Sequence, residues 1–326
     1  MWWNKRLILS LMFSLFCLSN CGEKLFSKKF LSIGTVVEIK VVEKDKEKAW
    51  KAIAAACKEI KRLSALMNNY DEKSEISLIN QSKGQGIKVS EEILEVVSRA
   101  IEFSKLTHGA FDITISPVFK CWSFNKENPK LPLMEKILEA KKKVGSQNIK
   151  IDLKKKEIIL EKGTSLDLGG IAKGYIVKKA CDKLREMGIT KGLINAGGNI
   201  QVIGSNIRMP WKVGIQDPRN KNKIKKIIKI TDKGVATSGD YEKYFILNGQ
   251  RYHHILDPET GYPAKECISV TIIAKDAFLA DILSTGIFVL GPDKGLALVK
   301  KLNDIECYLI TSKKEYASFR FNDYLR

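Results

Sequence analysis

The chain has 326 residues, of which 44% are hydrophobic and 29% are charged, and its formal net charge is +19. This composition excludes a disordered tail and a polytopic membrane protein, and the length allows one large domain with a sizeable core. Only three histidines are present, at positions 108, 253 and 254, which leaves little for a centre with several histidine ligands. The basic balance implies an acidic partner, namely nucleic acid, anionic lipid or a polyphosphate ligand.

The first twenty residues predict a lipoprotein signal peptide, over residues 1–20. Lys5 and Arg6 form a basic start, as in exported proteins. The apolar run over 7–18 has the length of a signal peptide and is short for a helix that spans a membrane. Without the two basic residues the net charge is still about +17, so the basicity belongs to the mature domain.

The residues at 18–21, Leu-Ser-Asn-Cys, are similar to a bacterial lipobox, which predicts lipidation of Cys21 after cleavage. Asn20 is an unusual residue before such a cysteine. Plain secretion and an uncleaved anchor therefore stay open as alternatives. We expect 21–29 to form a polar tether and 30–326 to form the folded domain.

Hydrophobic periodicity and turn residues predict strands and helices along the whole domain. Strands and helices alternate irregularly and hairpins are common, which favours an α+β fold over a regular parallel sheet. We expect mixed or antiparallel sheets with packed helices, in a single large domain of two intimate subdomains. The predicted elements are a strand over 33–42, helices over 45–67 and 90–106, two short strands within 148–160, a helix over 171–187, strands within 193–203 and 211–215, a strand over 268–273, helices over 275–290 and 292–302, and a closing hairpin within 306–321.

The segment 221–229 (KNKIKKIIK) is basic, with isoleucines between the lysines. It is compatible with contact to nucleic acid. Lysines also protect exposed edge strands from pairing with other chains, however, and this is the interpretation that we favour. The predicted export signal is a further argument against nucleic acid as a partner.

The segment 166–175 (LDLGGIAKGY) predicts a strand end, a glycine turn and the start of a helix. The glycines at 169–170 allow a ligand close to the backbone, and the helix N-terminus offers free N–H groups to an anion. Lys173 adds a positive charge, and Asp167 is placed to accept from a base or a ribose hydroxyl. A tight turn without a ligand is the alternative for this segment alone. A second polar glycine turn, at 195–199, favours a site built by backbone.

The segment 276–291 (DAFLADILSTGIFVLG) predicts an apolar helix that carries polar side chains. Asp281 and Thr285 are four residues apart and therefore share a face. A carboxylate on an apolar helix is costly unless it is paired or binds a metal. Carboxylate and hydroxyl oxygens suit Mg²⁺ or Ca²⁺ rather than zinc. The alternative is an aspartate satisfied by backbone N–H groups.

Two of the three histidines lie in the segment 253–263 (HHILDPETGYP). A histidine beside this polar turn is a candidate base near neutral pH. A histidine with a purely structural role is an equally good interpretation. Asp257 is explained by a structural role alone, because it can fix the turn.

Together these segments resemble, in order and spacing, the ApbE-type FAD:protein FMN transferase family. The resemblance covers nearly the whole mature chain, from about residue 33 to the last helix. Each run is a weak signal by itself, but the ordered set is specific. The other matching runs are IGT (33–35), LMNNYDEKSEISLIN (66–80), GAFD (109–112) and GVATSGDYEKYF (234–245).

The resemblance implies an enzyme of the bacterial cell envelope, on the periplasmic side and anchored to a membrane by lipid. With Mg²⁺, such enzymes move FMN from FAD onto a Thr or Ser hydroxyl of a partner protein and release AMP. Their acceptors include subunits of sodium- or proton-linked redox pumps and carry a D-x-x-[ST]-G-A-T type sequence. This chain lacks that sequence, so self-flavinylation is not indicated.

The resemblance also implies roles for single residues of this chain. His254 is implied as the proton acceptor for the attacking hydroxyl. The implied Mg²⁺ ligands are Asp281, Thr285, the carbonyl of Gly170 and Ser284. Some relatives have Asp where this chain has Ser284, so the number of metal ions stays open. The implied FAD-binding residues are Ile33, Asn69, Tyr70, Ala110, Phe111, Asp112, Asp167, Lys173, Ser238, Gly239, Asp240 and Ile255.

Other functions remain as alternatives. Some relatives hydrolyse FAD to FMN and AMP, so a periplasmic FAD pyrophosphatase is one alternative, and a flavin-binding lipoprotein is another. Asn68 and Asn69 lie at positions where relatives that transfer FMN differ from relatives that hydrolyse FAD. These two residues do not indicate which of the two activities this chain has. A basic envelope protein that binds anionic lipid belongs to a different class and is supported by the net charge of +19 and by the segment 221–229.

Overall fold

The computed structural model describes residues 22–124 and 129–325. The predicted signal peptide and Cys21 lie outside the described residues. The helices in this part of the chain are α1 (Lys46–Leu66), α2 (Glu75–Gln81), α3 (Glu91–Leu106), α4 (Ser116–Phe119), α5 (Met134–Lys141), α6 (Ala172–Glu186) and α7 (Ala277–Lys301). The strands are β1 (Lys24–Ser32), β2 (Thr35–Glu43), β3 (Ile87–Lys88), β4 (Ile149–Asp152), β5 (Glu157–Leu160), β6 (Gly192–Ala196), β7 (Asn199–Ile203), β8 (Trp211–Gln216), β9 (Ile224–Ile230), β10 (Gly234–Gly239), β11 (Tyr244–Leu247), β12 (Gln250–His253), β13 (Cys267–Ala274), β14 (Glu306–Thr311) and β15 (Glu315–Ala317).

A sheet of eight strands is the centre of the fold, in the order β1-β2-β6-β7-β10-β13-β14-β15. Its neighbouring strands pair antiparallel throughout. Three smaller sheets accompany it, namely β3-β5-β4, β8-β9 and β11-β12. The predicted α+β class with antiparallel sheets and packed helices is confirmed.

Helices cover one face of the large sheet, and a hairpin covers the other. α1, α6 and α7 pack on the first face and against one another, where their apolar side chains join those of the sheet in the main core. On the second face, β8 and β9 pack over residues such as Val202 and Ile273, together with Phe321 near the C-terminus. The sheet is therefore buried on both sides, and its ends are free to carry polar residues.

The first strand differs from the prediction. Residues 24–29 belong to β1, although the sequence suggested a tether over 21–29. β1 pairs with β2 along its full length, from Lys24 opposite Glu43 to Ser32 opposite Thr35. Its four apolar residues stand in two adjacent pairs, Leu25–Phe26 and Phe30–Leu31, and do not alternate with polar ones, so the sequence pattern alone does not indicate this strand.

The predicted helix starts are confirmed by their caps. The side chain of Asp45 accepts from two N–H groups of the first turn of α1, and Ser90 accepts from the N–H of Ile93 in α3. Asp276 caps α7 in the same way. Each cap satisfies donors that the start of a helix leaves without a partner.

The predicted break at Gly291 is also confirmed. Gly291 has φ of 77° inside α7, and Pro292 follows it, so the element consists of two helices joined at a kink. By length and composition alone α7 is apolar enough to cross a membrane, but 56% of its most apolar window is buried inside the protein. We therefore describe α7 as a core helix.

The basic segment 221–229 forms an edge strand, as predicted. β9 pairs with β8 only, and its outer side is exposed at Ile224 and Ile227. Lys225 pairs with Glu315 of β15 at 2.6 Å. The lysines of this segment thus protect an edge and contact a neighbouring strand.

α6 crosses α7 at very short distance at Gly174. A Cβ atom at this position would lie 2.3 Å from the carbonyl oxygen of Ala277 and 2.5 Å from Cβ of Asp281. We expect Gly174→Ala to lower the free energy of unfolding by about 1–3 kcal/mol, because the backbone of α7 has to move. Urea unfolding measures this loss, and the exposed Arg185→Ala on α6 is the control. Equal stability of the two variants would contradict the prediction.

Candidate functional site

Polar residues from four segments meet at one end of the large sheet. Because Val235 of β10 pairs with Ile200 of β7, the last residues of β10 lie beside the turn Gly197–Gly198 that joins β6 to β7. α7 packs along β10, and the start of α6 packs against α7. This end of the sheet therefore gathers the two glycine turns and the polar face of α7 predicted from the sequence.

Asp281 is only 5% exposed and faces α6. Its Oδ2 accepts a hydrogen bond of 2.8 Å from the N–H of Gly174. Burial raises the pKa of the Asp281 carboxyl to about 6, although the charge of Lys173 and the Gly174 hydrogen bond oppose the rise. No other hydrogen bond joins this carboxylate to the described residues, so the N–H of Gly174 and the charge of Lys173 are what offset its burial there.

Two hydroxyl groups, of Ser284 and Thr285, lie one turn further along α7, and the hydroxyl of Ser238 in β10 faces them. Ser238 Oγ is 2.9 Å from Ser284 Oγ and 3.3 Å from Thr285 Oγ1. Ser284 also donates a bond of 2.9 Å to the carbonyl oxygen of Asp281, which occupies its proton. A Cβ atom on Gly170 would lie 3.1 Å from Thr285 Oγ1, so the first glycine turn faces this part of α7. The four residues predicted to bind Mg²⁺ therefore lie together.

The glycine turn does not offer all the free N–H groups that the sequence predicts. The N–H of Gly169 donates to Oδ1 of Asp167 at 2.6 Å. The N–H groups of Ile171 and Ala172 both donate to the carbonyl oxygen of Leu168. The expectation of an open helix N-terminus was wrong at these positions, because the segment satisfies its own donors. These three N–H groups are therefore not available to an anion.

The structure distinguishes the two adjacent histidines. His253 is buried, with Nε2 2.8 Å from the carbonyl oxygen of Ala264 and Nδ1 accepting from the N–H of Ile255. His254 is half-buried, with Nδ1 3.2 Å from the carbonyl oxygen of Lys243. Because a carbonyl only accepts, Nδ1 of His254 carries the proton and Nε2 keeps its lone pair. His253 is thus structural, and His254 has a free basic nitrogen.

Burial, together with nearby positive charges, lowers the pKa of His254 to about 4. The ring is therefore neutral at pH 7. Lys173 is one of these charges, and the same lysine lowers the pKa of Asp281. The charge of Lys173 therefore acts on both His254 and Asp281, which indicates that the lysine lies near both side chains. Burial raises the pKa of Asp167, which lies half-buried beside the same glycine turn.

A sequence profile of the ApbE family matches residues 33–309. The chain belongs to the ApbE family. A curated relative from Haemophilus influenzae, named FAD:protein FMN transferase, is 34% identical over 303 residues, which are 88% of this chain and 86% of the relative. A relative of the same name from Treponema pallidum is 29% identical over 324 residues, which are 92% and 89% of the two chains.

Solved ApbE structures have the same fold. The ApbE protein of Thermotoga maritima superposes with a TM-score of 0.86 at 34% identity, over 93% of this chain and 100% of that chain. The flavin transferase ApbE of Vibrio cholerae superposes with a TM-score of 0.83 at 30% identity, over 93% and 100% of the two chains. The similarity extends over the sheet and the helices that form the site.

Phe111 and Asp112 of this ApbE-family chain lie behind the glycine turn. The ring of Phe111 is 3.3 Å from the position of a Cβ on Gly170, so it limits the space at that turn. The carboxylate of Asp112 accepts from the backbone N–H and hydroxyl of Thr114 and from the hydroxyl of Ser104. Asp112 therefore holds its own loop, and the neighbouring Ala110 is half-buried.

Asp240 has a partner that the sequence analysis missed. Arg219 forms a two-pronged ion pair with its carboxylate, with both N···O distances at 2.7 Å. The two residues are 21 positions apart, so no local pattern indicated the pair. In the same segment, the ring of Tyr241 covers Gly239, and Ile255 is buried beside the histidines. Asp240 thus stabilises the end of β10 through Arg219.

Asn69 and Tyr70 lie on an exposed turn after α1. Tyr70 is 83% exposed, and its N–H donates to the side chain of Asn68. No hydrogen bond among the described residues joins this turn to the residues around Asp281. Their predicted contact with FAD stays a prediction.

Asn80 and Asn199 are further residues that the sequence analysis missed. Asn80 brackets the backbone of Leu166, accepting from its N–H at 2.6 Å and donating to its carbonyl at 3.0 Å. This pair fixes the strand end that leads into the first glycine turn. Asn199 follows the second glycine turn and is buried, with Oδ1 lacking a hydrogen-bond partner in the described structure. Asn199 is the last residue of the run INAGGN, for which the sequence predicted only a glycine turn.

Ile33 occupies a strained backbone conformation at the tip of the β1–β2 hairpin. It has φ of 46°, and Gly34 has φ of 70°, which makes the loop a two-residue turn that favours Asn and Gly. A β-branched residue is a genuine outlier there. The predicted strand over 33–42 accordingly starts only at Thr35. Strained backbone conformations of this kind are often found at functional sites. For Ile33 the predicted function is contact with FAD.

We expect Ile33→Asn to raise the melting temperature and to weaken FAD binding. Asparagine tolerates positive φ, so the variant gains up to about 1–2 kcal/mol of stability. It also loses the apolar side chain at the tip. Thermal unfolding and a fluorescence titration with FAD measure the two effects. Leu31→Asn, at an exposed extended position in β1, is the control and should lack the gain in stability.

Proposed function

We propose that this protein transfers FMN from FAD onto a Thr or Ser hydroxyl of an acceptor protein, using Mg²⁺ and releasing AMP. The observation that carries the proposal is the buried carboxylate of Asp281 beside the Thr285 hydroxyl and the Gly170 turn. The names of the relatives, FAD:protein FMN transferase, support it. FAD is a substrate in this proposal, and the acceptor carries a D-x-x-[ST]-G-A-T type sequence.

The proposal includes a location in the bacterial cell envelope. The signal sequence and the lipobox-like residues at 18–21 support a lipid anchor at Cys21. The folded domain then lies on the periplasmic side of a membrane. Nucleic acid is not a partner in this compartment.

The residues around Asp281 suit Mg²⁺ by their chemistry. The carboxylate of Asp281, the hydroxyl oxygen of Thr285 and the nearby carbonyl oxygen of Gly170 are hard oxygen donors. Among the described residues, no group of three or more His, Cys, Asp or Glu side chains is placed to hold a metal. The protein therefore offers only part of an octahedral shell, which leaves positions for phosphate oxygens and water. When bound, the ion supplies positive charge against the charge that develops on the pyrophosphate oxygens.

Several side chains have separate roles in the proposed reaction. Nε2 of His254 accepts the proton of the attacking hydroxyl, because its lone pair is free and the ring is neutral at pH 7. A base of this kind contributes on the order of 10² to 10⁴ in rate. Lys173 adds a positive charge near the phosphates. The hydroxyl of Ser238 contacts the hydroxyl of Thr285, and Ser284 in turn contacts Ser238.

Incubation with FAD, Mg²⁺ and a peptide that carries the acceptor sequence tests the proposal. We expect the peptide to gain the mass of FMN and an equal amount of AMP to appear. A peptide with Val in place of the acceptor Thr is the control and should remain unlabelled. Release of FMN and AMP without any labelled peptide would overturn transfer and favour the FAD pyrophosphatase.

A further inference from the structure

β1 and α1 form an exposed face that carries lysines and aromatic rings. Phe26 of β1 contacts Trp50 of α1 edge to face, with the ring centroids 6.2 Å apart. Trp50 is 40% exposed, and Phe26 is half-buried. Alternate strand residues point to the same side, so lysines flank Phe26 on this side of β1. We call this surface the basic aromatic face, and its residues are Lys24, Phe26, Lys28, Lys46, Trp50 and Lys61.

The lysines of α1 belong to the same surface as Trp50. Lys46 and Lys61 are four residues before and eleven residues after Trp50, so the three share one stripe of the helix. Lys28 of β1 and Lys61 of α1 also lie near the same residue, Cys57, since each lowers the pKa of that thiol against the larger, raising effect of burial. The two elements therefore present one continuous face.

The charge of this face is not neutralised within the protein. In the described part of the chain, none of its four lysines forms an ion pair. The carboxylates near the start of α1 have other partners, because Glu43 pairs with Lys48 and Glu47 with Lys51, each at 2.6 Å. The flavin site is not built from any of these residues. The face thus has four exposed positive charges around an exposed indole ring.

We propose that the basic aromatic face docks on a bilayer surface that contains anionic phospholipid. Lysine stems and an indole ring suit the boundary between lipid headgroups and acyl chains. The position of the chain start is a second argument. Only Gly22 and Glu23 separate Cys21 from β1, so an extended link of about 10 Å is the longest possible. The inference rests on the proposed envelope location, but it does not depend on flavin transfer.

Lysine acetylation of the full chain in vesicles tests this docking. The chain is reconstituted in vesicles of phosphatidylcholine alone or of phosphatidylcholine with phosphatidylglycerol, and a water-soluble reagent labels its lysines. In anionic vesicles we expect labelling of Lys24, Lys28, Lys46 and Lys61 to slow by at least about fivefold, and salt at about 0.5 M to reverse the effect. The exposed Lys221 and Lys223, in the β8–β9 layer on the other side of the sheet, are the internal control.

A charge-reversal variant gives the second part of the test. The triple change Lys28→Glu, Lys46→Glu and Lys61→Glu should abolish the protection of Lys24, whereas Lys221→Glu with Lys223→Glu should preserve it. Thermal unfolding shows whether both variants remain folded. Equal labelling of all lysines in both kinds of vesicle would overturn the proposal. Protection of Lys221 and Lys223 alone would also overturn it, because the protein would then dock by its other side.

The same vesicles separate this inference from the proposed function. FMN transfer from FAD to the acceptor peptide is measured on each sample. Protected lysines without transfer would leave the docking intact and contradict the flavin chemistry. Transfer without protected lysines would contradict the docking alone.

Discussion

Asp281→Asn should abolish Mg²⁺-dependent transfer of FMN from FAD, with a loss of at least about 10³ in rate. Asparagine has the shape of aspartate and can still accept from the N–H of Gly174, so the fold is preserved. It lacks the negative charge that holds a divalent ion. Transfer to the acceptor peptide and a calorimetric titration with Mg²⁺ measure the loss. Asp293→Asn, at an exposed position of the same helix, is the matched control.

The same variant should be more stable than the wild type when Mg²⁺ is absent. Burial raises the pKa of Asp281 from 3.8 to about 6. A raised pKa means that the carboxyl favours folding at low pH, and that this contribution is lost as the pH rises through about 6. At pH 7 the buried carboxylate therefore costs about 3 kcal/mol, which asparagine avoids. An unchanged melting temperature at pH 7 together with full transfer activity would refute the assignment of Asp281.

His254→Ala should slow FMN transfer by about 10² to 10⁴ and leave the affinity for FAD nearly unchanged. The free lone pair on Nε2 is lost, but no described hydrogen bond of the fold depends on that atom. Single-turnover transfer and an FAD titration separate the two quantities. His108→Asn, on an exposed residue with positive φ, is the control. A variant that loses FAD binding instead would show that His254 is a binding residue.

The pH dependence gives an independent check on His254. Its pKa of about 4 keeps the ring in its basic form throughout the neutral range. At saturating Mg²⁺, the rate of the wild type should therefore stay level from pH 8 to pH 5 and fall only near pH 4. A fall centred near the ordinary histidine pKa of about 6.5 would contradict a base that stays neutral at pH 7.

Local signals account for the elements that were predicted well. Asp45 and Ser90 are side-chain caps, and the kink at Gly291 follows from a glycine before a proline. These features act over a few residues, so the sequence contains them in full. The polar residues on α7 were predictable for the same reason, because helical spacing alone places Asp281 and Thr285 on one face.

The features that were missed depend on contacts between distant parts of the chain. β1 is a strand because β2 pairs with it, and its own residues do not alternate between apolar and polar. The pair Arg219–Asp240 and the bracket of Asn80 around Leu166 join segments 21 and 86 residues apart. The glycine turn donates inward to Asp167 and Leu168, which no count of glycines reveals.

The residue pattern alone did not predict which of the two adjacent histidines is the base. Both lie beside the same polar turn, and their order alone does not separate them. The family resemblance implied His254, and the hydrogen bonds give the physical reason, because His253 uses both nitrogens while His254 uses one.

The length of β1 sets the distance between the proposed anchor and the chemistry. The strand begins next to Cys21 and ends at the Ile33–Gly34 tip, and its nine residues span about 30 Å. In the proposed arrangement, flavin attachment takes place near the end of β1 that is farther from the anchor. If β1 stands perpendicular to the membrane, the site cannot reach an acceptor residue at the level of the lipid headgroups. If β1 lies along the membrane, the site can reach such a residue. With the proposed lipid anchor, the tilt of β1 would thus decide which acceptor proteins the site can reach.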